Sequence, residues 1–404
     1  MVGSVEVRLA AGIDRFGFAG RLGLFYAATF FLTGMKVTYL PVWLDWRGLS
    51  AQEIAWIGAA PLFLRVFATP AIAFAADRFA THRPVLIALA WASVVMLFGL
   101  AQTATFWPIL ALTLLLALAS TTIMPLTETI AMTGVRQGGH DYGRMRLWGS
   151  LSFIVAGYLA GIGVDWQGVG ALLPMLVFGA GLVGLSAHLL PVATVEKPDG
   201  TGLPKRQLTA GDTFALLRSW PFICFLLAAG AVQAAHALFY TFGVLLWRQQ
   251  GLSTLTISSL WAVGVIAEII LFAYSGAVVR AIGAGGLLLA GALAGIVRWT
   301  LMAFDPGLAA LVVLQALHGL TFGATHLGAV HFIAANVPNE QAGTAQALHS
   351  SVTAGIAMGL ATLLAGRLFS EFGGRAYLAM TALSVAGLAA ALVLYARRKG
   401  EHRA

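Results

Sequence analysis

Charge is what this chain has least of. Only 10% of its 404 residues are charged, against 59% that are apolar. A soluble protein averages about 25% charged, and one this apolar exposes large patches and aggregates in water. That scarcity excludes a nucleic-acid-binding domain and a soluble dinucleotide-binding enzyme. Cysteine is scarcer still: Cys224 stands alone in an apolar run, so no intrachain disulfide scaffold is available. Acids are fewer than bases, 16 against 24, which leaves a net charge of +8. What the composition does fit is an all-α integral membrane protein, with the lipid bilayer as its solvent.

A helix that spans a bilayer needs roughly 20 apolar residues. Twelve such runs can be read, over 22–44, 54–76, 84–104, 107–132, 144–164, 169–191, 221–246, 256–280, 284–304, 308–335, 342–368 and 375–396. With both termini placed in the cytoplasm, 17 of the 24 Lys and Arg fall on the inner side or at helix ends bordering it. Three (Arg47, Arg248 and Arg375) fall outside, and four (Lys36, Arg65, Arg298 and Arg367) lie within the runs. This is the positive-inside bias, so the basic excess reports topology and calls for no nucleic-acid partner. Residues 1–21 carry Glu6, Arg8, Asp14, Arg15 and Arg21 without an apolar core, so no cleavable signal peptide is expected there.

The longest polar interval, 192–219, separates six runs from six. The expected organisation is a six-helix bundle over 1–191, a cytoplasmic linker over 192–219 and a second bundle over 220–404. Two such halves, with a site between them near the midplane, are the plan of a transporter working by alternating access. The 47 glycines and the helix-internal Pro61, Pro70, Pro125 and Pro174 suit membrane helices. There small residues let backbones approach, and neighbours satisfy broken backbone.

Ionisable groups at membrane depth cost several kcal/mol unless paired or wet, so each is a functional candidate. Glu128 lies in the fourth run, and Arg144 and Arg146 open the fifth in YGRMRLWGSLSF, with Phe153 on the Arg146 stripe. Glu128 and Arg146 form either a structural pair or part of a substrate site. Glu268 is a lone carboxylate in WAVGVIAEIILF, and Arg298 in GIVRWTL is its natural counter-ion or, equally, a holder of a substrate carboxylate. In the tenth run Gln315, His318, Phe322 and His326 fall within about 80° of one another, a stripe suited to a proton relay. Gln233, His236 and Tyr240 share one face of the seventh run, and Gln346, His349, Ser350 and Thr353 one face of the eleventh. Both stripes suit a cavity wall or helix–helix hydrogen bonding. Arg65 has no acidic i±4 neighbour and either snorkels or faces a cavity. No Asp, Glu or Cys joins the histidine stripe, so no metal is expected.

These residues carry a resemblance. Asp77-Arg78 followed by Arg83 resembles the loop signature after the second helix of the major facilitator superfamily, with Ala73 and Ala80 where that signature usually has glycine. Across almost its whole length the chain is similar to the lactose-permease-like proton symporters of that superfamily. Glu128 and Arg146 match that group's substrate-side acid–base pair. Glu268, Arg298 and His318 (in LHGLTF) match its coupling cluster. Phe153 stands where the group has a sugar-stacking tryptophan, and Thr321 where it has a proton-carrying glutamate. The stretches YGRMRLWGSLSFIVAG, QAAHALFY, LWAVGVIAEIILF, GIVRWTLM and LQALHGLTFGATHLGAVHFIAA resemble the bacterial 3-phenylpropionate permeases, which also lack that glutamate.

The resemblance implies a proton-coupled symporter of the bacterial inner membrane, importing an aromatic carboxylic acid and functional as a monomer. It requires no cofactor beyond the proton gradient. Glu128, Arg146, Phe153, Gln233, His236, Tyr240 and Arg65 would line the substrate site, Glu268, Arg298 and His318 would couple the proton, and Asp77 and Arg78 would gate. An aromatic acid needs a cation (Arg65, Arg146 or Arg298) and an apolar wall (Phe153, Tyr240 or Trp148). A sugar or nucleoside symporter, or an exporter of the same fold, is the rival reading. A membrane enzyme is disfavoured because the polar groups converge at mid-helix depth and the loops are short.

Overall fold

The structure, a computed structural model, describes residues 17–79, 82–138, 140–191, 216–338 and 341–401. Among these there is no β-strand. In chain order the helices are α1 (Gly17–Trp46), α2 (Ala51–Phe79), α3 (His82–Ala101), α4 (Phe106–Ser120), α5 (Ile123–Gly138), α6 (Tyr142–Gln167), α7 (Leu172–Ala187) and α8 (Trp220–Ala234). There follow α9 (Ala237–Gln249), α10 (Thr254–Ala273), α11 (Ser275–Met302), α12 (Leu308–Ala316), α13 (Thr325–Asn336), α14 (Ala342–Ser350), α15 (Met358–Phe372) and α16 (Tyr377–Glu401).

Nine helical stretches among the described residues are long and apolar enough to cross a bilayer. The longest covers 342–396, 55 residues. Straight, it would measure about 80 Å, more than twice a hydrocarbon core of about 30 Å. It is therefore folded: Gly373, at φ +53°, opens a tight 3₁₀ turn over Gly373–Ala376 that reverses the chain. A side chain at that φ would be strained, so glycine is the residue that permits the turn.

The local signals are those of ordinary helix chemistry. Ser50 and Glu53 cap α2 reciprocally, the Glu53 carboxylate accepting from the Ser50 backbone N–H at 2.8 Å and the Ser50 hydroxyl from the Glu53 N–H at 3.3 Å. Asp141 accepts from the Arg144 N–H at the start of α6. Several boundaries differ from those read off hydropathy. The run over 256–280 ends early, at Ala273, and the next helix contains a break at Gly283, whose φ of +66° again requires glycine. The seventh run is broken between Ala234 and Ala237, and the tenth carries a π-helical turn over Gly319–Ala324. Hydropathy averaged over a run cannot register such breaks, because the residues flanking them are largely apolar.

The described residues form two compact units, one within 1–43 and 67–197 and the other within 44–66 and 198–404. In the first, α1 and α6 meet backbone to backbone: a Cβ on Gly34 would lie 2.6 Å from the Phe153 carbonyl, and Ser152 donates to the Ala27 carbonyl at 2.7 Å. In the second, Phe225 stacks on Phe332 at 4.4 Å and Trp299 on Tyr377 at 5.7 Å. The first half of α2 lies along α15 in that unit through small residues. A Cβ on Gly366 would lie 2.4 Å from that of Ala55, and one on Gly359 would lie 2.7 Å from the Phe63 ring. This is the close approach that membrane helices use in place of a hydrophobic driving force. Residues 192–215, the bulk of the expected linker, lie outside the described residues.

Candidate functional site

The seventh and tenth runs break where the polar stripes were expected. The gap between α8 and α9 places His236 at the turn, and the π-helical turn after α12 contains Thr321 and Phe322. Such turns free backbone groups that side chains must satisfy. The Gln233 amide reaches across to this turn, donating to the Phe322 carbonyl at 3.3 Å.

Arg298, fully buried in α11, is the centre of this cluster. Its Nη2 donates to Gln315 Oε1 at 2.9 Å, and its Nη1 reaches both Thr321 Oγ1 at 3.0 Å and His318 Nδ1 at 3.1 Å. A guanidinium has donors only, so the geometry fixes the neighbours. His318 Nδ1 must accept, and the imidazole proton then sits on Nε2, which points at Glu268 Oε2 at 3.9 Å. His236 Nδ1 lies 3.1 Å from the carbonyls of Val232 and Gln233, so it carries the proton of the neutral ring. His236 Nε2 then accepts from the Thr321 hydroxyl at 3.0 Å. Thr321 is thus a hub that takes a hydrogen bond from Arg298 and passes one to His236. Aromatic faces close the cluster. The guanidinium lies 5.0 Å from the Phe239 ring and 4.5 Å from that of Trp299, while Tyr240 stacks with His236 and Trp261.

The direct Glu268–Arg298 pair expected from the sequence does not form; His318 stands between them. Among the described residues no carboxylate lies within 4.0 Å of Arg298, whose acceptors are all neutral, and its Nε has no partner. The histidine stripe is present as a ladder of near-parallel rings, His318 on Phe322 at 5.4 Å and Phe322 on His326 at 6.2 Å. Sequence reasoning missed Trp299 and Phe239 as walls and Thr321 as a hub. The first two sat beside known candidates, whereas nothing in the pattern marks a threonine as shared between two helices.

In the other unit, Glu128 on α5 and Arg146 on α6 come into one cluster but not into an ion pair; among the described residues nothing links them within 4.0 Å. The Arg146 guanidinium lies over the Phe30 ring at 3.8 Å and 5.8 Å from that of Tyr26. Glu128 acts on the phenols of Tyr26 and Tyr142. Gly149 makes room for this, since a Cβ there would lie 2.9 Å from Phe30 and 3.0 Å from the Arg146 Nη1. Phe153 contributes its carbonyl to the α1 contact, and Trp148 is exposed beside Gly23. Arg65 has no hydrogen bond or ion pair among the described residues and sits midway along α2. The side chains of Asp77 and Arg78 lie outside the described residues.

A family model for the MFS_1 like family matches residues 20–379. The chain belongs to this family. Among its relatives, this MFS_1 like protein is 31% identical over 359 residues to the "Probable 3-phenylpropionic acid transporter" of Escherichia coli (strain K12), covering 87% of this chain and 91% of that one. It is 30% identical over 388 residues to a maltose permease of Geobacillus stearothermophilus, covering 93% and 94%. Among solved structures, that of the nucleoside transporter NupG superposes with a TM-score of 0.80 at 18% identity, over 94% of this chain and 99% of that one. This MFS_1 like chain is accordingly a multi-pass membrane transporter of the major facilitator type and not an enzyme.

Proposed function

We propose that this transporter is a proton-coupled symporter that imports an aromatic carboxylic acid of the phenylpropionate type across a bacterial inner membrane, by alternating access through twelve spans with both termini in the cytoplasm. The described helices overlap all twelve apolar runs, and the lysine and arginine distribution supports the orientation. The observation that carries the substrate reading is a charge surplus. Lys36, Arg65 and Arg298 lie within the apolar runs and Arg146 near the start of one, against Glu128 and Glu268 within the same runs, and among the described residues none of these four bases has a carboxylate within 4.0 Å. Unpaired charge at that depth is costly. An organic anion offsets it; a neutral sugar or nucleoside leaves it in place.

Coupling follows from the same electrostatics. Glu268 is the carboxylate nearest to Arg298, through His318. An anion entering this field makes a proton on Glu268 more favourable, and by linkage a proton there makes the anion bind more tightly. The test is uptake of 3-phenylpropionate into proteoliposomes under an imposed pH gradient. Glu268→Gln should abolish uphill uptake while leaving exchange between loaded compartments intact. Unchanged uphill uptake in that variant removes Glu268 from coupling, and uptake of maltose or nucleosides in place of the acid removes the substrate reading.

A further inference from the structure

Lys36 has no role in the clusters above, although it is a lysine well inside the apolar run over 22–44. It lies eight residues from the end of its apolar run at 44 and fourteen from the start at 22, about 12 and 21 Å along the helix axis. Neither distance can be covered by a snorkelling side chain. None of its i±3 and i±4 neighbours (Leu32, Thr33, Tyr39 and Leu40) is acidic. Among the described residues it makes no hydrogen bond or ion pair, and burial alone acts on its charge.

Its face of α1 is polar and incompletely satisfied. At 100° per residue Thr29, Thr33 and Lys36 fall within about 60° of one another. The Thr33 hydroxyl donates to the Thr29 carbonyl at 2.8 Å, but the buried Thr29 hydroxyl has no partner. The apolar side of the helix, marked by the half-exposed Leu24, stands about 120° from Lys36. The lysine therefore turns away from the face on which α1 presents exposed leucine.

We propose that Lys36 is the cation that binds the carboxylate of the transported acid. This rests on the anionic-substrate reading and gives it a specific ligand in the first unit. Arg298 is less suited to that task, because both its terminal nitrogens are already engaged, and Arg146 is laid over Phe30. A lysine is a compact charge with three rotatable donors, free to reorient onto a carboxylate and release it.

The test compares wild type, Lys36→Met and Lys36→Arg in detergent, by equilibrium binding of 3-phenylpropionate and of its neutral analogue 3-phenylpropan-1-ol. Lys36→Met should weaken acid binding by about tenfold or more, as expected for a lost charge-assisted hydrogen bond, and leave alcohol binding unchanged. Lys36→Arg should restore part of the acid affinity. Acid bound equally well by wild type and Lys36→Met overturns the assignment, as does an equal loss for acid and alcohol, which marks a packing role. Wild type that ignores phenylpropionate but binds another organic anion through Lys36 overturns the aromatic-acid reading and keeps the lysine. Wild type that binds only neutral sugars or nucleosides overturns both.

Discussion

Replacing Thr321 by valine tests the hub directly, because the two side chains have nearly the same shape. Thr321 is fully buried, so water cannot replace what is lost without opening the cluster. The substitution deletes the acceptor for Arg298 Nη1 at 3.0 Å and the donor to His236 Nε2 at 3.0 Å. A hydrogen bond to a charged group contributes about 1.5–3 kcal/mol and a neutral one about 1 kcal/mol. Arg298 Nη1 keeps His318 Nδ1 at 3.1 Å, which places the first contribution at the low end. The expected loss is about 2.5–3.5 kcal/mol of stability. Thr321→Ser is the control: it keeps the hydroxyl and removes one methyl group, costing about 1 kcal/mol. Equilibrium unfolding of the purified protein in detergent should therefore rank wild type above serine and serine above valine. A valine variant as stable as the serine variant, or more so, would refute the hub.

Three further outcomes follow from the hydrogen bonds and the helix packing. Arg298→Lys keeps the charge but cannot serve Gln315 Oε1, Thr321 Oγ1 and His318 Nδ1 from one nitrogen at the observed spacing; uptake per folded molecule should fall by about tenfold or more, and near-normal uptake would show that charge alone matters. Gly366→Ala should destabilise by about 1–3 kcal/mol through overpacking, since its Cβ would lie 2.4 Å from the Ala55 Cβ and 3.0 Å from the Ala51 carbonyl. Gly343→Ala, with nothing within 4 Å, should be neutral or stabilising; equilibrium unfolding in detergent checks both glycine variants.

How much of this the sequence discloses depends on whether a feature is local. The apolar runs, the turn residues and the angular stripes are local, and the tenth-run stripe reappears as the stacked rings of His318, Phe322 and His326. Partner choice is not local. Periodicity put Arg298 and Glu268 at membrane depth on adjacent helices, but which acceptors surround a guanidinium is settled by where α8, α11 and the turn after α12 converge. The π-helical turn itself comes from GLTFGA, a stretch apolar but for Thr321 and without a local signal for the turn. The grouping of 44–66 with the second unit was equally invisible, because it depends on glycines of α15 that lie about 300 residues away in sequence.

The cluster around Arg298 separates two tasks that a carboxylate would merge. Three neutral acceptors on Gln315, His318 and Thr321 satisfy the directionality of the guanidinium, and none of them cancels its charge. A glutamate at 321 would do both, forming a direct pair and closing the local field upon itself. With threonine there, the hydrogen bonds hold Arg298 rigid while its positive field persists into its surroundings, where low dielectric makes it far-reaching. A responsive group close by is Glu268, about a quarter exposed and linked to Arg298 through His318. Because the link runs through an imidazole, a second proton on His318 would have to enter at Nδ1, against the guanidinium, and so break the His318–Arg298 contact. Under the proposed coupling, proton state and arginine position would be tied through one ring, with no carboxylate among the described residues within 4.0 Å of the arginine.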